Sequence, residues 1–259
     1  MIETSFSIYN FEFFLAVLLR IGGTIYTAPV FSSRSVPSRV RLFISIALAL
    51  LVTGNLEYTP LPYTTTIGFA VVMIKELITG MTFGMMGTMA LASLSMAGQF
   101  IDREMGFSMA STFDQINGGQ STITADMYQY MVMLIMVVSG MHYFVIRAVI
   151  DSFSVIPISG AKFDANIFYQ IAVSVFRDYF IIAMRISMPI FIAATLLNVI
   201  LGILAKASPQ LSMFSIGMQL KVLMGLGILV LTIGYMPQMT EFIYENMQTF
   251  VTDMIKALY

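Results

Sequence analysis

The sequence predicts an all-α membrane protein built from kinked helices and helical hairpins. Three observations carry that prediction. Hydrophobic residues make up 58% of the 259-residue chain and charged residues only 10%, with a mean hydropathy of +0.86, well beyond an ordinary soluble domain. A membrane span needs roughly 20 apolar residues, so the length accommodates about five or six spans with short loops and no large soluble domain. The apolar stretches are also punctuated by lone charges, glycines and prolines, which argues for bent helices over a simple bundle.

Composition narrows the function classes. A net charge of −1 gives no basic footprint for nucleic acid. The absence of cysteine excludes disulfides, thiolate chemistry and Cys-ligated metals. Glu3 and Glu12 precede the first basic residue, so the N-terminus lacks the basic region of a cleaved signal and is expected to be retained.

The first apolar segment runs from Phe6 to Phe31 and carries Glu12 and Arg20, two helical turns apart and so on one face. Charges in hydrocarbon normally face protein or water, so Glu12 either snorkels to an interface or faces a partner subunit with Arg20. Ala28-Pro29 ends the helix. Ser32–Arg41 follows as a basic loop with Arg34, Arg39 and Arg41, placed on the cytoplasmic side by the positive-inside rule. Leu42–Thr53 is a short apolar run of about 12 residues, under the length of a span. Thr59-Pro60-Leu61-Pro62 reads as a loop.

Ile67–Gly98 is a long helix carrying Lys75 and Glu76. Adjacent helical residues point about 100° apart, so these two cannot pair with each other and each needs a partner on another helix. Gly80, Gly84 and Gly87, continued by Thr88 and Ala92, form a small-residue stripe suited to close helix contact. Met81, Met85 and Met89 form a second stripe, read as packing or lipid contact, with a deformable lining as the alternative.

Gln99–Ala125 is a polar interval. Within it, Gly106–Ser121 (GFSMASTFDQINGGQS) is the longest stretch that is neither apolar nor a mere turn. A polar loop of this length between greasy segments reads as a movable plug across a protein-conducting pore. Its candidate residues are Gly106, Phe107, Met109, Phe113, Asp114, Asn117, Gly118 and Gly119.

Met127–Ile150 is the next apolar segment. It holds His142, the only histidine, which has no metal-binding pattern around it and reads as structural. Asp151–Asp164 is a loop. Asn166–Ala207 would make a helix of roughly 60 Å, kinked at Pro189. After a turn at Ala207–Gln210, Phe214–Gln248 returns as the second arm of a long hairpin. No nucleophile elbow, Walker loop, dinucleotide fingerprint or paired-carboxylate site is present in the sequence, so the chain reads as a non-enzyme that binds no cofactor or metal.

Four strings, LLRIGGTIYTAPVFSSRSVPSRVR (18–41), KELITGMTFGMM (75–86), GQFIDREMGFSMASTFD (98–114) and ILAKASPQLSMFSIGMQLKVLMGL (203–226), together resemble the flagellar biosynthesis protein FliR family of type III secretion export gates. The last is the most specific, joining a proline turn and a spaced Lys221 between two apolar helices. The family often has proline where this chain has Gln115, and asparagine where it has Ser212. The resemblance implies a FliP-like part (1–165) fused to a FliQ-like hairpin (166–259). That subunit would complete a spiral gate with several FliP and FliQ copies in the bacterial inner membrane, at the flagellar basal body, with much of the complex raised toward the periplasm. FlhB would wrap the entrance near the cytoplasmic turn at Ser208, Pro209 and Gln210, with FlhA nearby. Unfolded flagellar proteins would be the cargo. Glu12, Arg20, Lys75, Glu76 and Lys221 would make intersubunit or intramembrane charge contacts. The competing expectations are a virulence secretion gate, a small-molecule permease, and a scaffold in which the loop only packs.

Overall fold

The computed structural model describes residues 8–33, 36–107, 122–207 and 213–259. Helices dominate, and no strand occurs among the described residues.

Helix α1 (Ile8–Thr27) buries Phe13, Ala16, Val17, Arg20, Ile21, Thr24 and Ile25. Those positions recur every three or four residues, the signature of a single buried stripe. Past Pro29 the chain turns at Val30, a β-branched residue with φ 69°, held by the Ser32 amide donating to the Ala28 carbonyl at 2.9 Å. Helix α2 (Ser38–Asn55) follows Pro37. The last four residues of the basic loop and the short apolar run of the sequence reading thus form one 18-residue helix that takes Arg39 and Arg41 into its first turn, while Arg34 lies outside the described residues. Arg41 remains folded back on the loop, donating to the Ser32 and Ser33 carbonyls.

Helix α3 (Thr66–Met105) is 40 residues long and runs past the point where rising polarity suggests a stop. Gly106, with φ 81°, ends it in the left-handed conformation that glycine adopts without steric cost. Helix α4 (Ile123–Val138) and helix α5 (Tyr143–Val155) divide what the sequence presents as one apolar segment. The break between them falls at Gly140, whose φ is 75°.

Helix α6 (Ala165–Ala207) starts at Asp164, whose carboxylate accepts the Asn166 amide at 2.8 Å as an N-cap. It runs unbroken through Pro189, whose side chain lies on the exposed face. Helix α7 (Met213–Ile233) and helix α8 (Met236–Leu258) replace the single returning arm, with a 72° bend between them at Gly234–Tyr235. Pro237 is the second residue of α8, where its missing N–H costs nothing.

Two compact units result. The first comprises Met1–Met89, Gly140–Val175 and Glu245–Tyr259. Its core gathers Phe13, Val17, Ile21 and Ile25 of α1 with Ala49, Phe83, Val149, Phe153, Met254 and Leu258. The second comprises Ala90–Ser139 and Phe176–Tyr244. Among its fully buried side chains are Leu94, Ile101, Met105, Tyr128, Met136, Ile182 and Ile190. Among the described residues three helices, α2, α3 and α6, are long and apolar enough to cross a membrane, or five spans if each bent pair counts as one. The exposed surface agrees with that solvent: Phe43, Ile67, Leu134, Val138, Leu223 and Leu231 are all open.

Candidate functional site

In the first unit the small-residue stripe of α3 meets α1 with backbone against backbone. A Cβ on Gly80 would lie 1.9 Å from the Arg20 carbonyl oxygen, and one on Gly84 2.0 Å from the Thr27 hydroxyl. A Cβ on Gly87 would lie 2.9 Å from the Pro29 ring. The α1 hydroxyls exploit this proximity. Thr24 donates to the Gly80 carbonyl at 2.9 Å and Thr27 to the Met81 carbonyl at 3.1 Å.

That crossing brings Arg20 to Glu76. Both side chains are fully buried, with Nε donating to Oε2 at 2.5 Å and Nη2 to Oε1 at 3.0 Å. Arg20 also donates Nη1 to the Ile156 carbonyl at 2.8 Å, and its guanidinium stands 4.3 Å over the Phe153 ring. Glu76 additionally accepts the Ser159 amide at 2.7 Å, across a turn in which Ser159 itself has φ 67°. One ion pair therefore joins α1, α3 and the 156–159 turn, with its hydrogen-bonding capacity largely filled. A buried pair of this kind contributes little net stability, but removing one partner costs about 3–5 kcal/mol.

The other predicted charge positions have separate fates. Glu12 is half-buried and accepts a hydrogen bond from the Tyr63 hydroxyl at 2.5 Å, so it does not share a partner with Arg20. Arg20, with no exposed side chain, has nothing left to present to another subunit. Lys75 and Lys221 are half-buried and have no ion-pair partner among the described residues. His142 stands beside Tyr143, ring centroids 4.1 Å apart, at the bend before α5. Met81 and Met85 lie on the open face of α3.

In the second unit the ends of the polar interval come together. Asp102 of α3, 1% exposed, accepts the Thr124 backbone amide through Oδ2 at 3.1 Å and the Thr124 hydroxyl through Oδ1. One turn earlier, a Cβ on Gly98 would lie 2.3 Å from Ala125 Cα. One turn later, fully buried Met105 covers Gly225 of α7, where a Cβ would meet its Cε at 2.3 Å. Gly106 and half-buried Phe107 leave from this base. Met109, Phe113, Asp114, Asn117, Gly118 and Gly119 lie outside the described residues, as do Ser208, Pro209 and Gln210.

Asp102 and Thr124 went unnoticed in the sequence reading except as flanking polarity. The available signal was the i, i+4, i+7 spacing of Gly98, Asp102 and Met105 on one helix face. Among the described residues, no group of three or more His, Cys, Asp or Glu side chains could hold a metal ion.

This is the architecture of an all-α membrane protein in which buried charges and glycines fix helix contacts. The chain belongs to the family described as Bacterial export proteins, family 1, which it matches over residues 11–247. Among its relatives, the flagellar biosynthetic protein FliR of Bacillus subtilis (strain 168) is 32% identical over 215 residues, covering 82% of each chain. The flagellar biosynthetic protein FliR of Pectobacterium carotovorum subsp. carotovorum is 28% identical, over 93% of this chain and 91% of the relative. That of Escherichia coli (strain K12) is 26% identical, over 93% and 92%.

Proposed function

We propose that this chain is a core subunit of the flagellar type III protein export gate. In that role it completes a pore with several FliP-like and FliQ-like partners in the bacterial inner membrane. Residues 1–165 supply the FliP-like part and 166–259 the FliQ-like hairpin. The hairpin turn at 208–210 faces the cytoplasm beside FlhB, with FlhA nearby, and unfolded flagellar proteins are the cargo. The segment 106–121 is the plug that keeps the resting pore closed.

Nearly full-length similarity to proteins named flagellar biosynthetic protein FliR supports the flagellar assignment. The observation that carries the gating reading is the base of the loop: a long polar stretch whose two described ends are pinned together by Asp102 and Thr124 inside an apolar unit. The exposed apolar faces of α2, α6 and α7 support burial against further helices or lipid. Lys75 and Lys221, half-buried and without an intrachain carboxylate among the described residues, are the candidates for intersubunit pairing.

Two measurements test this. Co-expression with the candidate partners and native mass measurement of the detergent-extracted complex should yield a hetero-oligomer; a stable monomer or homo-oligomer alone would favour a permease. Deleting residues 106–121 should raise ion leak across the membrane. Unchanged leak and unchanged secretion would remove the plug.

A further inference from the structure

We propose that Asp102 is the positioning residue that closes the base of the 107–122 segment, by capping α4 from α3 and so fixing where the segment leaves and where it returns. Its functional consequence rests on the plug reading given above.

The first ground is that the cap is not local. Thr124 is the second residue of α4, and its backbone amide is among those with no acceptor inside the helix. Threonine is a favoured cap residue and Thr122 occupies the cap position, yet it makes no side-chain cap hydrogen bond. The acceptor comes instead from Asp102, 22 residues upstream on another helix. A local cap would start α4 equally well. Only a cap reaching across from α3 also ties the two helices together.

The second ground is how the carboxylate is satisfied. Among the described residues no cation pairs with Asp102, although it is buried. Both of its oxygens go to the amide and hydroxyl of one residue, and the helix start supplies favourable partial positive charge. Breaking this bond would leave a buried carboxylate unanswered, so the clamp favours one arrangement strongly.

The third ground is the setting. Gly98 against Ala125 and Met105 against Gly225 flank the clamp on the same face of α3. Both are nondirectional packing contacts, which permit sliding and rotation. The Asp102–Thr124 bonds are the directional element among them and set the register of the two ends. On the plug reading, a base fixed in this way anchors the plug at both of its described ends.

The test uses the full chain assembled with its partner subunits. Asp102→Ala should raise ion leak several-fold per complex while the native mass shows the complex intact. Asp102→Asn, which keeps one carbonyl acceptor, should give a smaller rise, as should Thr124→Val. In a background lacking residues 108–121, Asp102→Ala should add no further leak. A loss of assembly equal in both backgrounds would mark Asp102 as merely structural and overturn the proposal. If deleting 108–121 raises leak but Asp102→Ala does not, the clamp fails and the plug stands.

If the deletion changes nothing, the plug fails, and a second readout still decides the clamp. The cysteine-free chain accepts a spin-label pair at Arg103→Cys and Ile123→Cys, both exposed positions. The distance distribution should be narrow in the parent chain and broadened by Thr124→Val and Asp102→Ala. An unchanged distribution overturns the proposal.

Discussion

The two units each bury a carboxylate, and they satisfy it by different means. Glu76 meets the guanidinium of Arg20 in a fork with two hydrogen bonds, and the same arginine reaches on to a backbone carbonyl and an aromatic ring. Asp102 has no such counter-ion among the described residues and relies on one amide, one hydroxyl and the start of α4. The first arrangement ties three segments, and in both arrangements the carboxylate is buried. The second ties two ends of one segment and depends on a single residue. A charge paired by its opposite behaves as a rivet, whereas a charge satisfied by a helix start behaves as a latch. Both fix local geometry: the first across three segments, the second at the two described ends of one segment.

Substitutions in both units probe that contrast. The largest effect is expected from Arg20→Met, which strands a buried carboxylate and should cost about 3–5 kcal/mol, read as loss of folded protein on heating in detergent. Arg20→Met combined with Glu76→Leu should recover most of it, since replacing both partners of a buried pair with apolar side chains is often neutral. Equal damage from the single and double variants would show that the pair is not coupled.

Next is Gly80→Val, which forces side-chain atoms onto the Arg20 carbonyl and should cost at least the 1–3 kcal/mol typical of overpacking, roughly, with loss of the α1–α3 contact. Gly202→Ala is its control. No atom lies within 4 Å of a Cβ there, so stability should hold or improve by up to about 1 kcal/mol. A similar melting shift for both would mean that the close approach at Gly80 is not needed.

Thr124→Val removes the hydroxyl bond but keeps the amide. A hydrogen bond to a charged group is worth about 1.5–3 kcal/mol, and that loss should appear in thermal melts as a smaller drop than Arg20→Met gives. A drop as large as that of Arg20→Met would erase the distinction between rivet and latch. Smallest is Gly106→Ala, whose left-handed backbone should cost about 1–2 kcal/mol. No change in melting would show that the end of α3 can rearrange.

Much of the fold could be read directly from residue spacing. The buried stripe of α1 and the glycine stripe of α3 are periodic, and periodicity survives in one dimension. The divergence of Lys75 and Glu76 likewise required Glu76 to look elsewhere. What spacing could not supply was the partner, because Arg20 is 56 residues away. The bend at Gly234–Tyr235 was hidden for another reason. Helix α7 is apolar almost all round, so no phase of polarity marks where α8 takes over. Asp102 misled in the opposite direction: polarity from Gln99 suggested that the helix stops at Gly98, whereas it continues to Met105 and buries the carboxylate. Proline also misled, since Pro189 stays within α6 with its ring on the open side. Gly106 and Phe107 are the only predicted plug residues that fall within the described part of the chain.

The Arg20–Glu76 pair also has a consequence for how the chain is made. Arg20 leaves the ribosome 56 residues ahead of its carboxylate and 136 ahead of the Ile156 carbonyl. At roughly 5–20 residues per second, the guanidinium waits about 3–11 s for Glu76 and about 7–27 s for the turn that completes its surroundings. During that interval a fully charged group sits on an apolar helix with no intrachain answer. The buried pair can therefore form only after α3 has been synthesised. The glycine-lined crossing that carries Arg20 to Glu76 is then completed in the order in which translation delivers the two helices.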